Sequence, residues 1–473
     1  MVKDLRTFLD VYEEEHPEQV MHIEKEVSAD QEITALAFAL EKEERYPVLV
    51  FHNVVTADGR KSKHPVVTNL FASRERCAAV LGSAVQDVGR DYYQKRLQKM
   101  KPAVVSREQA PVKEVVVTGD RIDLKAYPAL VHHYMDPGPY FTSAYLTTYD
   151  PDTRIDNTAT QRGWIIDKDL VRVYISEYTH NRANLDKYDR QGKGMPVAYW
   201  MGHHPTACLA GQVRLGYPES HFEAMGGLLG EPLRLVPSET LGEDFLVPAD
   251  AEFVVEGVME PGARYPEGPF GEYSAYIGPQ VPNPQFRVTA ITHRSDAYWH
   301  ALLVGHPDNM VMGGFAIEGA VYETVKHVVP SLKNVYLPLS GTCRFHAYLQ
   351  LENARPGDAR EAIMTALAAD FRIKHVFVFD EDIDIFNEKE VLWALATRTQ
   401  WNEDVMIFPK VRGSVIDPTV PLTLTAKGGI DCTKLAGEAF SEKIAVSQEV
   451  AKRVGLKDYF SEEDLRKIPR ESQ

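Results

Sequence analysis

The segment Pro266-Glu267-Gly268-Pro269-Phe270-Gly271-Glu272-Tyr273 sets two carboxylates five positions apart in a backbone crowded with proline and glycine. Proline lacks an amide donor and clashes with the preceding turn, so the stretch is barred from a helix, while glycine lets the backbone approach a ligand closely. The two acids are therefore expected on an irregular loop, the kind of segment that often carries chemistry. Two carboxyls in one pocket split their pKa values, one staying ionised and the other becoming a proton donor near neutral pH.

A chain of 473 residues with 44% hydrophobic content buries a large core and is expected to form two or three domains. No apolar run approaches the ~18 residues that span a bilayer, and the N-terminus meets Glu13, Glu14 and Glu15 instead of an apolar signal core, so a cytoplasmic location is expected. Cys77, Cys208, Cys343 and Cys432 are widely separated, which supports neither a disulfide framework nor a thiolate metal site. A formal charge of -16 without a basic block argues against nucleic acid or an anionic membrane as partner. Any anionic ligand must be captured locally.

The pattern along the chain is that of an α/β (α+β) multi-domain protein. Residues 1–110 alternate helical patterns, at Asp30 to Glu44 and Ser73 to Leu81, with the strand-like run Pro47 to Phe51. After the polar helical stretch Asp87 to Lys101, residues 111–313 read as many short strands, among them Val115 to Thr118, Ala144 to Thr148, Val171 to Ile175 and Phe253 to Val258, which suggests a sandwich or barrel. Residues 314–436 return to α/β alternation, with helices at Glu361 to Ala369 and Glu388 to Arg398 around the strand His375 to Phe379. The tail, 437–473, is expected to be helical, with Ile444, Val446, Val450 and Val454 forming a stripe that docks on a partner subunit.

Asn157-Thr-Ala-Thr-Gln-Arg162 gathers an amide, hydroxyls and a guanidinium just before the strand-like Gly163 to Ile166. Arginine's planar fork binds carboxylate or phosphate bidentately, and an amide oxygen can join the shell of a divalent cation. His180 adds an imidazole, a common transition-metal ligand, although spacing alone does not connect these segments.

Taken in order, these segments resemble the UbiD-like family of reversible decarboxylases. The resemblance covers nearly the whole chain: Asp4 to Leu9, His64 to Arg74, Asn157 to Arg162, Glu267 to Glu272, Val378 to Asp384, Trp393 to Arg398 and Gly413 to Pro418. It implies a central split-barrel domain that binds prenylated FMN, flanked by α/β modules. It further implies that Arg162, Glu267 and Glu272 form an ionic network at the reactive face of the flavin, with Glu272 as proton donor and Glu267 held ionised by Arg162. Asn157, Thr160, Gln161, Arg162 and Lys427 would bind the cofactor, Lys427 by reaching its phosphate.

The family also implies a divalent metal, usually Mn2+, with K+ or Na+ nearby, and a flavin prenyltransferase as cofactor supplier. Asn157 and His180 match two metal ligands. The third, an acid, falls just before Met225-Gly-Gly-Leu-Leu-Gly230, where this sequence departs from the pattern. Counting back meets His221 or Phe222; Glu223 is the nearest acid, and His221 and Glu219 stay open.

Asp380, Glu381, Asp382 and Asp384 look like part of a calcium loop but lack its glycine and terminal glutamate, so they read as a strand end followed by a polar turn. His203 and His204 precede a helix expected near Pro205, and His300 and His306 are weaker candidates for substrate contact. The resemblance thus implies a decarboxylase of an aromatic, heteroaromatic or α,β-unsaturated acid, forming a homodimer or larger assembly. The alternatives are an accessory flavin-binding subunit of a multi-subunit carboxylase, or an ordinary FMN redox enzyme. No G-x-G-x-x-G loop offers a nicotinamide site.

Overall fold

Helix Leu5–Glu15 starts where the Asp4 carboxylate accepts the Thr7 amide at 2.8 Å, and its one apolar stripe buries Leu5, Phe8 and Leu9. The computed structural model describes residues 2–217, 219–420, 423–434 and 439–468. Residues as far as Thr433 form one unit and those from Lys434 a second.

In the first unit, the apolar run read as a strand is Val48–Phe51, buried at every position between Val20–Ile23 and Val66–Thr68. Strand Trp299–His300, from much later in the chain, completes this sheet of four. Ser73 caps helix Arg74–Leu81, and Gly82, at φ +60°, ends it in the left-handed conformation that glycine adopts without strain.

The central strands form one antiparallel sheet, in the order Asp156–Thr160, Tyr145–Tyr149, Met195–Met201, Phe253–Met259, Gln285–His293, Leu170–Val173, Gly163–Asp167 and Tyr140–Phe141. Val115–Thr118 pairs beside Gln285–His293. Laid flat, six strand spacings would separate Asp156–Thr160 from Gly163–Asp167 by ~29 Å. Only Gln161 and Arg162 join them in sequence, a reach of at most ~11 Å. The sheet must therefore curl until its ends nearly meet. The split barrel expected from the sequence is this curl, and Gln161 and Arg162 lie at its opening.

A second sheet, ordered Leu332–Tyr336, His346–Leu351, His375–Asp380, Leu424–Asp431 and Val405–Arg412, mixes parallel and antiparallel pairs. Helices Pro307–Val328, Asp358–Ala369 and Glu388–Arg398 accompany it. The boundary drawn after residue 313 cuts the first of these helices. Its start is set by His306, whose ring accepts the Asp308 amide at 3.2 Å, and by Pro307 in the first turn. Asp380 ends its strand as expected, and Arg398 pairs with both Asp380 and Asp382.

The second unit corrects the tail reading. Gly437 lies outside the described residues, 439–446 carry no helix, and helices are confined to Gln448–Arg453 and Glu462–Lys467. Ile444 is fully exposed and Val446, Val450 and Val454 are exposed as well, so none of the four is buried within this chain. No described helix is long and apolar enough to cross a membrane.

Candidate active site

The proline-glycine segment avoids helix, as its composition requires, but it is more regular than a loop. Tyr265–Glu267 pairs with Val281–Asn283, and Phe270–Gly271 pairs with Ile277–Gly278. Between them Gly268, at φ +89°, takes a conformation that side-chain-bearing residues rarely adopt, and the Gly268-Pro269 peptide is cis. This tight crossing turns both glutamates toward the mouth of the barrel.

There Arg162 meets them. Its Nε and Nη2 donate to the two oxygens of Glu267, each at 2.9 Å, and its Nη1 donates to Glu272. Glu267 is fully buried and also accepts Tyr140 Oη at 3.2 Å and Asn283 Nδ2 at 3.4 Å, so donors face both of its oxygens. Among the described residues the guanidinium is the one cation that pairs with Glu272. Burial pushes its pKa above the usual glutamate range and Glu267 adds to the rise, against the opposing pull of Arg162. For Arg162 burial disfavours the charge, but Glu272 and Glu267 together hold its pKa above the ordinary value. The guanidinium also lies 4.4 Å from the Tyr174 ring and 5.2 Å from the Phe270 ring, which shield it from water.

On the neighbouring strand the Asn157 amide nitrogen donates to Asn181 Oδ1 at 2.5 Å, and Asn181 Nδ2 donates to Gln161 Oε1 at 3.0 Å. Thr148 and Asn184 extend this buried layer, and Gln212 Nε2 donates to Thr160 Oγ1. Asn157, Thr160 and Gln161 are thus gathered on one edge. His180, half-buried, opens helix His180–Arg190, which also carries Asn181. Burial lowers its pKa, favouring the neutral ring a metal needs, while Glu219 opposes that shift.

The third metal ligand is resolved less simply. The Glu219 carboxylate works to raise the His180 pKa, and His180 helps to lower that of His221. Glu219 is engaged by Lys99 at 2.8 Å and the Gly216 amide at 3.0 Å. His221 is buried, and its Nδ1 has no hydrogen-bond partner. No group of three His, Cys, Asp or Glu among the described residues is placed to hold a metal. Imidazole rings and an asparagine amide are donor types that a divalent cation takes.

Lys427 does not join this edge by any hydrogen bond. Its ammonium donates to the carbonyls of Leu367 and Asp370, at 3.2 and 3.3 Å. His203 is buried and His204 caps helix Pro205–Ala210, which starts where expected. His300 and His306 are buried, with ring nitrogens lacking partners. A separate cavity of about 780 Å³, lined by Tyr46, Arg74, Phe315, Glu318 and Tyr336, includes none of these site residues. Sequence reading missed Tyr140, Asn283 and Tyr174, which complete the shell of Arg162 and Glu267; Tyr140 and Asn283 lie on separate strands, Tyr174 just past the end of Leu170–Val173, and no spacing links them.

Comparison with known proteins agrees with this architecture. Residues 11–95, 103–307 and 310–432 match, in turn, the N-terminal, Rift-related and C-terminal domains of 3-octaprenyl-4-hydroxybenzoate carboxy-lyase, UbiD. The chain belongs to the UbiD family and is a decarboxylase of that class.

Among its relatives, the anhydromevalonate phosphate decarboxylase of Methanothermobacter thermautotrophicus is 30% identical over 91% of this chain and 96% of its own length. The phenolic acid decarboxylase of Sedimentibacter hydroxybenzoicus is 29% identical over 91% of each. The UbiD-class enzyme HmfF of Pelotomaculum thermopropionicum, solved in complex with FMN, superposes with a TM-score of 0.89 at 35% identity, over 97% of this chain and 100% of that one. An evolved dimeric form of HmfF, solved with prenylated FMN, superposes with a TM-score of 0.87 at 34% identity, over the same shares of each chain.

Proposed function

We propose that the protein is a reversible, non-oxidative decarboxylase of an aromatic, heteroaromatic or α,β-unsaturated carboxylic acid, with prenylated FMN as cofactor and Glu272 as proton donor. The observation that carries this reading is the bridge of one buried guanidinium to two carboxylates, Glu267 on both oxygens and Glu272 on one. Flavin complexes of the superposed HmfF structures support the choice of cofactor.

When bound, the cofactor supplies an electron sink for the pair left behind as carbon dioxide departs. Arg162 orients both acids and keeps its charge through the cycle. Glu272, its pKa raised by burial, delivers a proton to the carbon that has lost carbon dioxide. In carboxylation the same oxygen takes the proton back. Tyr174 and Phe270 exclude bulk water from the guanidinium. Asn157, Thr160 and Gln161 would line the cofactor, with Lys427 contributing its charge nearby.

Asn157 and His180 would hold Mn2+, with His221 in preference to Glu223 as third ligand because its Nδ1 is buried without a partner, and K+ or Na+ would complete the charge balance. A flavin prenyltransferase would supply the cofactor, in the cytoplasm, to a homodimer or larger assembly. The test is to purify the protein with and without a co-expressed flavin prenyltransferase, and to follow flavin absorbance together with carbon dioxide release from a panel of unsaturated and aromatic acids. Release that depends on the modified flavin supports the reading; equal release without any flavin defeats it.

A further inference from the structure

Asp308, fully buried in the first turn of helix Pro307–Val328, takes three main-chain amides from outside that helix. Its Oδ1 accepts Phe71 at 2.8 Å, and its Oδ2 accepts Asn69 at 3.2 Å and Leu303 at 3.1 Å. Arg76, also buried, grips the same turn by its carbonyls: Nη1 donates to Asn69 O at 2.7 Å and to Leu70 O at 3.4 Å. With amides bound by the carboxylate and carbonyls by the guanidinium, a turn that sets Asn69 at φ +67° is held from both sides. Burial pushes the Asp308 pKa up to about 6 against the pull of the three amides and Arg76, which leaves the group charged at neutral pH.

The Leu303 amide begins a short path to the two glutamates. Just before it, Ala301 donates to Val67 O at 2.9 Å and Leu302 to Thr142 Oγ1 at 3.1 Å, so the segment enters from the first sheet in a fixed position. Just after it, Val304 packs in one apolar cluster with Tyr140 and Phe270. Tyr140 donates to Glu267, and Phe270 lies against the Arg162 guanidinium. Gly305, at φ +72°, comes so near the next turn that a Cβ on it would lie 3.5 Å from the Glu272 carbonyl oxygen and 3.5 Å from Ala275 Cα. Leu303 to Gly305 therefore backs the turn that carries Glu272, and the bond to Asp308 pins this backing at its start.

We propose that Asp308 is a positioning residue for the decarboxylase: by holding Leu303 to Gly305 in place, it keeps the turn of Glu272 packed shut against water. The proposal rests on the reading of Glu272 as proton donor. The charged and titratable groups around Glu272 include Arg162, Glu267, Tyr174, Tyr273 and, against Gly271, His133. Burial outweighs the pull of Arg162 on the Glu272 pKa. A loosened backing leaves all these neighbours in place and removes burial, so that pKa falls. A proton donor is lost as pH rises through its pKa, and the basic limb of the rate profile must then move to lower pH.

Two variants of the flavin-loaded protein test this. Asp308→Asn keeps the shape but turns a donor toward amides that are donors themselves. Gly305→Ala disturbs the same backing from its other end, since alanine is strained at that φ. Hydrogen–deuterium exchange reads the amides of Glu272 and Ala275, which donate to Tyr276 O at 3.0 Å and Glu272 O at 2.9 Å. Both amides are expected to exchange about tenfold faster or more in each variant. The basic limb of kcat, measured with an acid from the panel that releases carbon dioxide, is expected to move down by about half a pH unit or more.

A merely structural role predicts a lower melting temperature with exchange at the Glu272 turn and the basic limb both unchanged, and that result overturns the proposal. Faster exchange with an unmoved limb overturns it as well. If Asp308→Asn does not fold, Gly305→Ala decides by the same two readings. No release from any acid by wild type would instead count against the functional reading, and exchange alone would then decide whether Asp308 holds the turn.

Discussion

Arg162 spends two of its nitrogens on the two oxygens of Glu267, each at 2.9 Å, and one on Glu272. The unequal sharing gives two chemically identical side chains different surroundings. Glu267 also accepts Tyr140 and Asn283 and is fixed in place, whereas burial raises the pKa of Glu272, which suits the proton-donor role proposed for it.

Glu272→Gln preserves shape and removes the transferable proton. Turnover is expected to fall by about 10²-fold or more, with flavin still bound. Carbon dioxide release and flavin absorbance measured on one preparation decide it, and unimpaired release removes Glu272 from the mechanism.

Arg162→Lys replaces a fork with a single ammonium and leaves part of a buried carboxylate unpaired. The Glu267 side chain is 0% exposed and that of Arg162 9%. Breaking such a pair costs about 3–5 kcal/mol. Urea denaturation of the variant should show the loss, and a wild-type midpoint would mean that the pair does little for stability.

Asn157→Ala and His180→Ala are each expected to lower bound metal and flavin together, by about 10- to 100-fold in metal affinity. Elemental analysis after dialysis provides the measurement. Comparing His221→Ala with Glu223→Ala identifies the third ligand: metal retained in the first and lost in the second would restore the glutamate.

Asp370 supplies a pH signature. Burial raises its pKa, but Arg372 and Arg214 outweigh that and hold it at about 2, below the ordinary 3.8. A depressed folded-state pKa adds stability that is fully present above the unfolded value and is lost as pH falls from about 4 through 2. The contribution is about 2 kcal/mol. Asp370→Asn should flatten the acid limb of the stability curve in that window, and an unchanged limb would show that the arginines do not bind it tightly in solution.

Gly271 tests the shape of the two-glutamate crossing. A Cβ there would lie 2.5 Å from the His133 ring, so Gly271→Ala must displace either that ring or the strand leading to Glu272. A loss of about 1–3 kcal/mol in thermal unfolding is expected, accompanied by reduced turnover. Wild-type values for both would show that the ring swings away freely.

Much of the local structure was legible because it follows from neighbours in sequence. The apolar run Val48–Phe51, the helix Glu388–Arg398 and the Pro205 helix start fall where pattern and proline chemistry put them. The tail is less helical than its apolar spacing suggests, since 439–446 carry no helix. The boundary drawn after residue 313 falls inside helix Pro307–Val328, because a composition shift does not mark where that helix begins.

By itself the sequence determined the element types, the barred helix at Pro266 to Tyr273 and the candidacy of Arg162, Glu267 and Glu272, because backbone propensity and side-chain chemistry are properties of residues and their near neighbours. Only the tertiary structure decided that Tyr140 and Asn283 hold Glu267 and that arginines from distant stretches meet at Phe371. Those contacts arise from the curling of one sheet and the packing of another, and long-range packing leaves no periodic trace along the chain.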